Sequence, residues 1–168
     1  LPLSWRSIFL RKLDLVITPS YFVRKRLPKN SKVVRLGINL QKFKPLNSTK
    51  NTKLKVGYFG HPSAYKGVLD FARASKLFPK TCESYIYISD TSDKMQKNLK
   101  KMNPKVNLQG HVTDITTAYN EMDVIVLPYR SHLAGVANPL VLVEAMACGK
   151  AIITTNFKYL KEVGQRGV

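Results

Sequence analysis

Acidic residues are scarce in this chain: ten Asp and Glu stand against 28 Lys and Arg, for a formal net charge of +18 at neutral pH. The shortage is uneven. Residues 1–53 carry thirteen basic side chains and the single acid Asp14, whereas residues 54–168 carry fifteen and nine. An excess of this size favours anionic partners, whether phospholipid surfaces, nucleic acid or phosphorylated substrates, although a generic lysine-rich solvated surface has the same composition. Cysteine is nearly absent. Cys82 and Cys148 lack metal-ligand spacing, so neither a disulfide framework nor a thiolate metal site is expected, and two buried, reduced thiols of an intracellular protein are. No run approaches the roughly 18 apolar residues of a membrane span, and no signal-peptide pattern opens the chain. Nor is there a known DNA- or RNA-binding motif, or a strand with the aromatic pair that stacks bases, so nucleic acid is not the expected partner. Because the chain opens on Leu1, it is expected to be a piece of a longer polypeptide or a processed product.

What is present is enough for a core: 168 residues, 44% of them hydrophobic, fit one domain of ordinary size. Residues 3–13 read as a short amphipathic helix in which Trp5, Ile8 and Phe9 cluster among Arg6, Arg11 and Lys12. Such a helix suits a membrane surface, but about eleven residues supply little apolar area, which favours packing on a neighbouring element. Leu15 to Thr18 reads as a small strand, Ser20 as the cap of a helix over Tyr21 to Leu27, and Val33 to Leu36 as a second strand ending at Gly37. Residues 45–53 are polar and turn-rich, and the composition shifts near residue 53. The resulting division is 1–45, a linker over 46–53, and a main unit over 54–168. In that unit strands are expected near 54–59, 84–88, 106–109, 123–127 and 151–154. Helices are expected near 66–77, 92–102, 114–121, 139–148 and 157–163. Strands alternating with helices specify an α/β fold, a Rossmann-like doubly wound parallel sheet.

The chemistry concentrates in the loops after these strands. In Asn138 to Thr155, Asn138 is a good N-cap and Pro139 a good first helical residue. Leu140, Val143 and Ala147 fall at helical spacing for burial, Gly149 stops the helix, and Ala151 to Ile153 follow as a buried strand. In an open parallel sheet, ligands sit at the carboxyl ends of strands against the start of the next helix. Glu144 is then near a crevice with free backbone N–H groups and a positive dipole end. A phosphate at the helix start with Glu144 accepting from sugar hydroxyls fits; so does a solvated glutamate on an ordinary helix. Lys55 to Gly67 places Gly60 where backbone can approach a ligand and Lys66, opening the next helix, where it can reach phosphate oxygens. The spacing matches neither the dinucleotide fingerprint nor the P-loop. Gln109 to Val112 ends another strand before Asp114, a helix cap, and Pro128 to Ser131 leaves a fourth at the same edge. Together the four loops make a nucleotide-diphosphate site coherent.

The order GHPSAYKG, LQGHVTD, AYNEMDVIVLPY, LVEAMACGKAIITTN resembles the C-terminal lobe of the retaining GT-B glycosyltransferases of family 4. The preceding DLVITPS and VVRLGINLQKFKP resemble the end of that family's N-terminal lobe and the crossing into the second one. The likeness runs from about Asp14 to Val168, and the EAMACGK block is its most specific part. It implies a nucleotide-sugar donor, such as a UDP- or GDP-sugar, held in this lobe. Lys66 then matches the lysine that neutralises the diphosphate, and Glu144 the glutamate that binds the ribose. Gly110 and Val112 match the base-contacting turn. Asn138, Pro139, Leu140 and Val141 match the helix start facing the diphosphate, with Gly60 in the loop beside Lys66. Neither a metal nor a cofactor is implied, because cationic side chains and helix dipoles stabilise the leaving group.

Three departures qualify the resemblance. The family's second acid, eight residues before the ribose glutamate, is Val136 here, so recognition of the donor sugar must differ. The arginine that commonly follows the loop glycine is His61, which when neutral stabilises a diphosphate less. Most of an N-terminal lobe, which supplies the acceptor site, is missing. The expected protein is therefore the donor-binding half of an enzyme that transfers sugar to a glycan or lipid-linked acceptor, with Lys66 and His61 as its catalytic cations and little activity alone. Its expected location is cytoplasmic, with the basic N-terminal region as a peripheral contact to an anionic membrane face. The alternative suggested by Val136 and His61 is a degenerate, non-catalytic basic module that binds membranes or polyanions.

Overall fold

The structure, a computed structural model, describes residues 9–46, 52–89, 92–131 and 139–164. It begins with a small β-α-β unit, β1 (Val16–Thr18), α1 (Tyr21–Arg24) and β2 (Ser31–Val33), whose strands pair in parallel. The main sheet then alternates with helices: β3 (Leu54–Phe59), α2 (Val68–Ser75), β4 (Cys82–Tyr87), α3 (Asp93–Met102), β5 (Asn107–Gln109), α4 (Ile115–Glu121), β6 (Val124–Leu127), α5 (Leu140–Ala147), β7 (Ala151–Thr154) and α6 (Lys158–Gly164). Its five strands lie in the order β5-β4-β3-β6-β7, all parallel. The expected doubly wound sheet is present. Strand order reverses at β3 and β6, which opens a crevice at their carboxyl ends.

Strand alternation assigns the two faces. Val56, Tyr58, Ile86 and Ile88 point to one side and form a core with Val68, Phe71 and Ala72 of α2 and Leu99 of α3. Phe59, Tyr87, Ile125 and Leu127 point to the other and pack with Ala118 and Tyr119 of α4 and Leu142 and Ala145 of α5. Each fully buried Leu, Ile or Phe contributes about 1.5–3 kcal/mol by leaving water. The central strand admits α4 closely because position 57 is glycine: a Cβ there would sit 2.8 Å from the Met122 side chain. Asp123 then ties β6 to β3, its Oδ2 accepting from Lys55 N–H at 2.7 Å.

The small unit is fastened to the main one at two places. Ser20 caps α1 and donates to Glu162 Oε2 of α6 at 2.6 Å, while Glu162 Oε1 accepts from Phe22 N–H at 3.0 Å. Asn120 of α4, almost fully buried, accepts from Leu46 N–H at 2.9 Å and donates to the Lys44 carbonyl at 3.1 Å.

Several boundaries and burial assignments differ from expectation. The helix expected from residue 66 begins at Val68, because Gly67 adopts a left-handed φ of +73° and separates α2 from a short 3-10 turn over Ala64–Lys66. Lys66 therefore ends a turn and does not open a helix. Pro139 is the cap of α5 and Leu140 its first residue; Asn138, the expected cap, and Val136 lie outside the described residues. Leu140 is exposed and Val143 and Ala147 are only half-buried, while Leu142, Ala145 and Cys148 face the core. An octapeptide that is apolar on nearly every side gives periodicity little to discriminate. β7 is an edge strand, and its Ala151 and Ile153 are exposed. β2 ends at Val33 because β1, three residues long, offers no partner beyond it, and α1 stops at Arg24 ahead of Pro28. Of the helix expected over 3–13, residues 9–11 are helical and 1–8 are outside the described residues. Both cysteines are free; Cys148 is buried but Cys82 only half-buried.

Gly67 gives the sharpest stability test. A Cβ at this position would lie 2.0 Å from the Pro128 carbonyl oxygen, on a backbone conformation that L-residues rarely adopt. Gly67→Ala should cost about 3 kcal/mol, lowering the Tm by roughly 6–12 °C in thermal unfolding followed by circular dichroism. An unchanged Tm would show that the loop after β6 does not rest on this turn.

Candidate functional site

The carboxyl ends of β3, β4 and β5 meet α4 and the start of α5 around a cavity of about 420 Å3. Its wall is aromatic. Phe59 and Tyr87, register partners at the last positions of β3 and β4, stack with ring centroids 4.3 Å apart and planes 4° from parallel. Tyr119 leans on Phe59 at 4.7 Å. Gly110, His111, Val112 and Thr113 close the opposite side, with Ile115 and Val141 completing it. A flat apolar slot edged by backbone amides and carbonyls suits a planar heteroaromatic ring.

Polar groups stand at the edges of this slot. Tyr119 O–H donates to Glu144 Oε2 at 2.8 Å. Burial, and then the Glu144 carboxylate, push the Tyr119 phenol far above its ordinary pKa, so it remains a neutral donor. Desolvation likewise raises Tyr87 to about 12. Glu144 is half-buried and no cation pairs with it among the described residues, which leaves acceptor capacity for hydroxyl groups. Gly60 follows β3 with φ +155°, donating its N–H to the Tyr87 carbonyl at 3.1 Å. A Cβ on Gly60 would be 3.8 Å from Lys66 Cδ, so the lysine stem runs alongside this glycine. His61 is exposed, with Nδ1 3.3 Å from Oγ of Ser89, a residue of the cavity rim.

The Lys66 turn is held from the neighbouring loop. Arg130 N–H donates to the Tyr65 carbonyl at 2.8 Å, and Arg130 Nε donates to Asp70 Oδ2 at 3.0 Å. At α5, Pro139 carries no N–H and offers no side-chain cap, so the N–H groups of Leu140 and Val141 lack intrahelical partners, and the positive dipole end faces the same edge.

Of the residues singled out in the sequence, Gly60, Gly110, Val112 and Val141 line one cavity. Glu144 is joined to it through Tyr119, Lys66 through Gly60 and His61 through Ser89. Pro139 and Leu140 sit at the start of α5 beside Val141. Sequence reasoning missed Phe59, Tyr87 and Tyr119, the aromatic wall. The available signal was two strands that each end on an aromatic residue after an alternating run. Among the described residues no group of three or more His, Cys, Asp and Glu is placed to hold a metal ion, and no helix is long and apolar enough to cross a membrane.

Residues 53–168 match the family model described as glycosyl transferases group 1. No curated protein matches the chain. Among solved structures, a glycosyltransferase from Rickettsia africae is similar over 94% of this chain and 49% of its own, with 18% identity and a TM-score of 0.76. Sucrose-phosphate synthase from Thermosynechococcus elongatus is similar over 92% of this chain and 43% of its own, at 20% identity and a TM-score of 0.71. HepE from Anabaena, solved with UDP and glucose, is similar over 92% and 48%, at 20% identity and a TM-score of 0.70. The chain thus spans less than half the length of these structures, and they share with it the Rossmann-like lobe of a GT-B fold. With more than half of its residues matching the family model, the chain belongs to the group 1 glycosyltransferases.

Proposed function

We propose that this chain is the donor-binding lobe of a retaining glycosyltransferase and that its cavity takes the nucleoside of a nucleotide-sugar. The observation that carries the reading is the double role of Tyr119, which walls the flat slot and holds the Glu144 carboxylate at its edge. A base lies along the Phe59–Tyr87 wall, against the backbone of Gly110 to Val112. The ribose hydroxyls donate to Glu144. The diphosphate rests between Lys66 and the N–H groups of Leu140 and Val141 at the start of α5, with His61 as a further donor. HepE, solved with UDP and also with UDP-glucose, supports a uridine nucleotide as the first candidate.

In transfer, the bond between the anomeric carbon and the phosphate oxygen breaks, the acceptor oxygen bonds to that carbon on the same face, and the acceptor's hydroxyl proton passes to the departing diphosphate. Negative charge grows on the departing diphosphate. Lys66 and the α5 amino end stand where that charge develops, which is how preorganised donors lower a barrier; in this reading they replace a divalent cation. An acceptor must also be positioned and water excluded, and a chain spanning about half the length of the similar structures is proposed to bind donor with little turnover alone. The acceptor is proposed to be a glycan or lipid-linked sugar, with the basic segment around Arg24, Arg26 and Lys32 resting on an anionic membrane face at the cytoplasmic side.

The test is thermal-shift titration with UDP, GDP, ADP and their sugar conjugates. One base should stabilise the chain saturably, by about 2.7 kcal/mol at a hundredfold excess over Kd. Glu144→Ala and Lys66→Ala should each weaken that binding about tenfold, roughly the value of one hydrogen bond to a charged group. Nucleotide binding unchanged in both variants would overturn the assignment. Tyr119→Phe separates the two roles of the tyrosine: it keeps the aromatic wall, so the base preference should persist while affinity falls only a few-fold. If Tyr119→Phe binds as wild type, the phenol does not position Glu144.

A further inference from the structure

The amino ends of the strands carry a second cavity, of about 570 Å3, at the opposite edge of the sheet from the nucleotide slot. A six-residue strand separates the two by about 20 Å. Four lysines, Lys53, Lys76, Lys80 and Lys105, line it, with one carboxylate, Glu83. Glu83 is already engaged: Oε1 accepts from Lys53 Nζ at 3.1 Å and Oε2 from Tyr85 O–H at 2.9 Å. These two hydrogen bonds, Lys53 first, hold its carboxyl below the ordinary range. Lys76, Lys80 and Lys105 have no ion-pair partner among the described residues.

Helix ends account for part of this charge but not for all of it. α2 and α3 both terminate here, and lysines favour helix C-termini, where each macrodipole supplies about half a negative charge. Four ammonium groups against one carboxylate and two such ends leave a net charge of about +2 around one concavity. The polar groups of the floor bond one another. Asn103 Nδ2 donates to Ser75 Oγ at 2.9 Å and to Ser84 Oγ at 3.5 Å, and Asn103 Oδ1 accepts from Lys105 N–H at 3.0 Å. All three of these polar side chains are buried. The four lysines are exposed around this polar surface, and Glu83 is the one carboxylate among the residues lining the cavity.

We propose that this cavity is a second anion site, which binds a compound carrying two or more phosphate charges, independently of the donor slot. Flexible ammonium groups around a concavity suit phosphate oxygens of varied geometry better than a planar carboxylate, which calls for the arginine fork. The cavity volume is in the range of small-ligand sites. The same chemistry is offered by a soluble oligophosphate and by a phosphomonoester lipid headgroup.

Backbone amide NMR of the whole chain, titrated with inorganic tripolyphosphate, tests the proposal. Saturable shifts are expected at Ser84, Asn103 and Lys105, with affinity at least tenfold weaker in Lys76→Glu/Lys105→Glu and weaker also in the milder Lys76→Gln/Lys105→Gln. Shifts induced by UDP at Gly60 and Gly110 should be the same in wild type and both variants, which keeps this test separate from that of the donor slot. Flotation with vesicles containing phosphatidic acid, against phosphatidylcholine alone, decides the source: binding lost in the variants assigns a lipid headgroup, and tripolyphosphate binding without flotation assigns a soluble ligand. Equal tripolyphosphate affinity in wild type and both double variants, or non-saturating shifts spread over the basic surface, would overturn the proposal.

Discussion

The packing of Tyr119 against the Phe59–Tyr87 stack is the contact on which the site geometry depends. Phe59 and Tyr87 occupy the last positions of two central strands in mutual register, so their rings are placed by the sheet itself and lie flat upon each other. Tyr119, pressed on Phe59 from α4, is 1% exposed and has no room to turn. Its hydroxyl reaches Glu144 on α5, and the hydrogen bond joins two helices across the mouth of the crevice. Because an unpaired buried hydroxyl costs about 1–3 kcal/mol, the phenol selects the rotamer of Glu144 that answers it. The sheet thereby positions a carboxylate two elements away. Gly57 serves the same contact, since a Cβ there would press on the side chains of Met122 and Phe59 at 2.8 and 2.9 Å.

A second constraint places the cation. Lys66 carries about 2 kcal/mol of rotamer entropy, and a lysine on a loose loop would lose much of it on meeting a phosphate. Here the backbone beneath it is fixed before any ligand arrives. Gly67 turns the chain in a conformation open to glycine, the Pro128 carbonyl sits directly against that glycine, and Arg130 holds both the Tyr65 carbonyl and Asp70. The turn after β3 and residues 128–130 after β6, neighbours at the reversal of strand order, are thereby held together. That coupling belongs to the fold and not to any single motif, which is why a glycine and a lysine in sequence are weak signals while the same pair on a braced turn is a defined cationic post.

Much of this was legible in the chain. Short strand-like runs such as Leu54 to Phe59 and the continuously apolar Val124 to Leu127, alternating with helical segments and punctuated by Gly and by caps such as Asp114, specified the parallel sheet, and the strand ends grouped the loops. What resisted reading was decided by neighbours in space. The helix over Leu140–Ala147 is apolar nearly all round, so which of its sides is buried depends on where α4 lies, and the core residues are Leu142, Ala145 and Cys148. Ile153 reads as core by composition, yet β7 is an edge strand with that side chain in water. Gly67 offered no sign that it would divide a turn from a helix, because the Pro128 oxygen that demands a glycine comes from 61 residues further on. Tyr119 was hidden for a related reason: its meaning rests on Phe59 and Glu144, neither adjacent in sequence.

The charge of the chain is likewise resolved by the fold into places with different consequences. At the carboxyl edge of the sheet Lys66 stands nearly alone, with the amino end of α5 as its complement, an arrangement suited to one compact anion. At the amino edge the lysines are several, the dipoles oppose them, and the polar groups of the floor bond one another, so any attraction there is many-centred and tolerant of ligand shape. Screening acts on the two differently. Over about 8–10 Å of salt solution, exposed ammonium groups lose most of their pull at a distance, whereas a lysine lying against backbone beside a partly buried crevice loses less. A net charge of +18 therefore says little about function by itself; its meaning lies in which lysines a rigid backbone brings to bear on the same point.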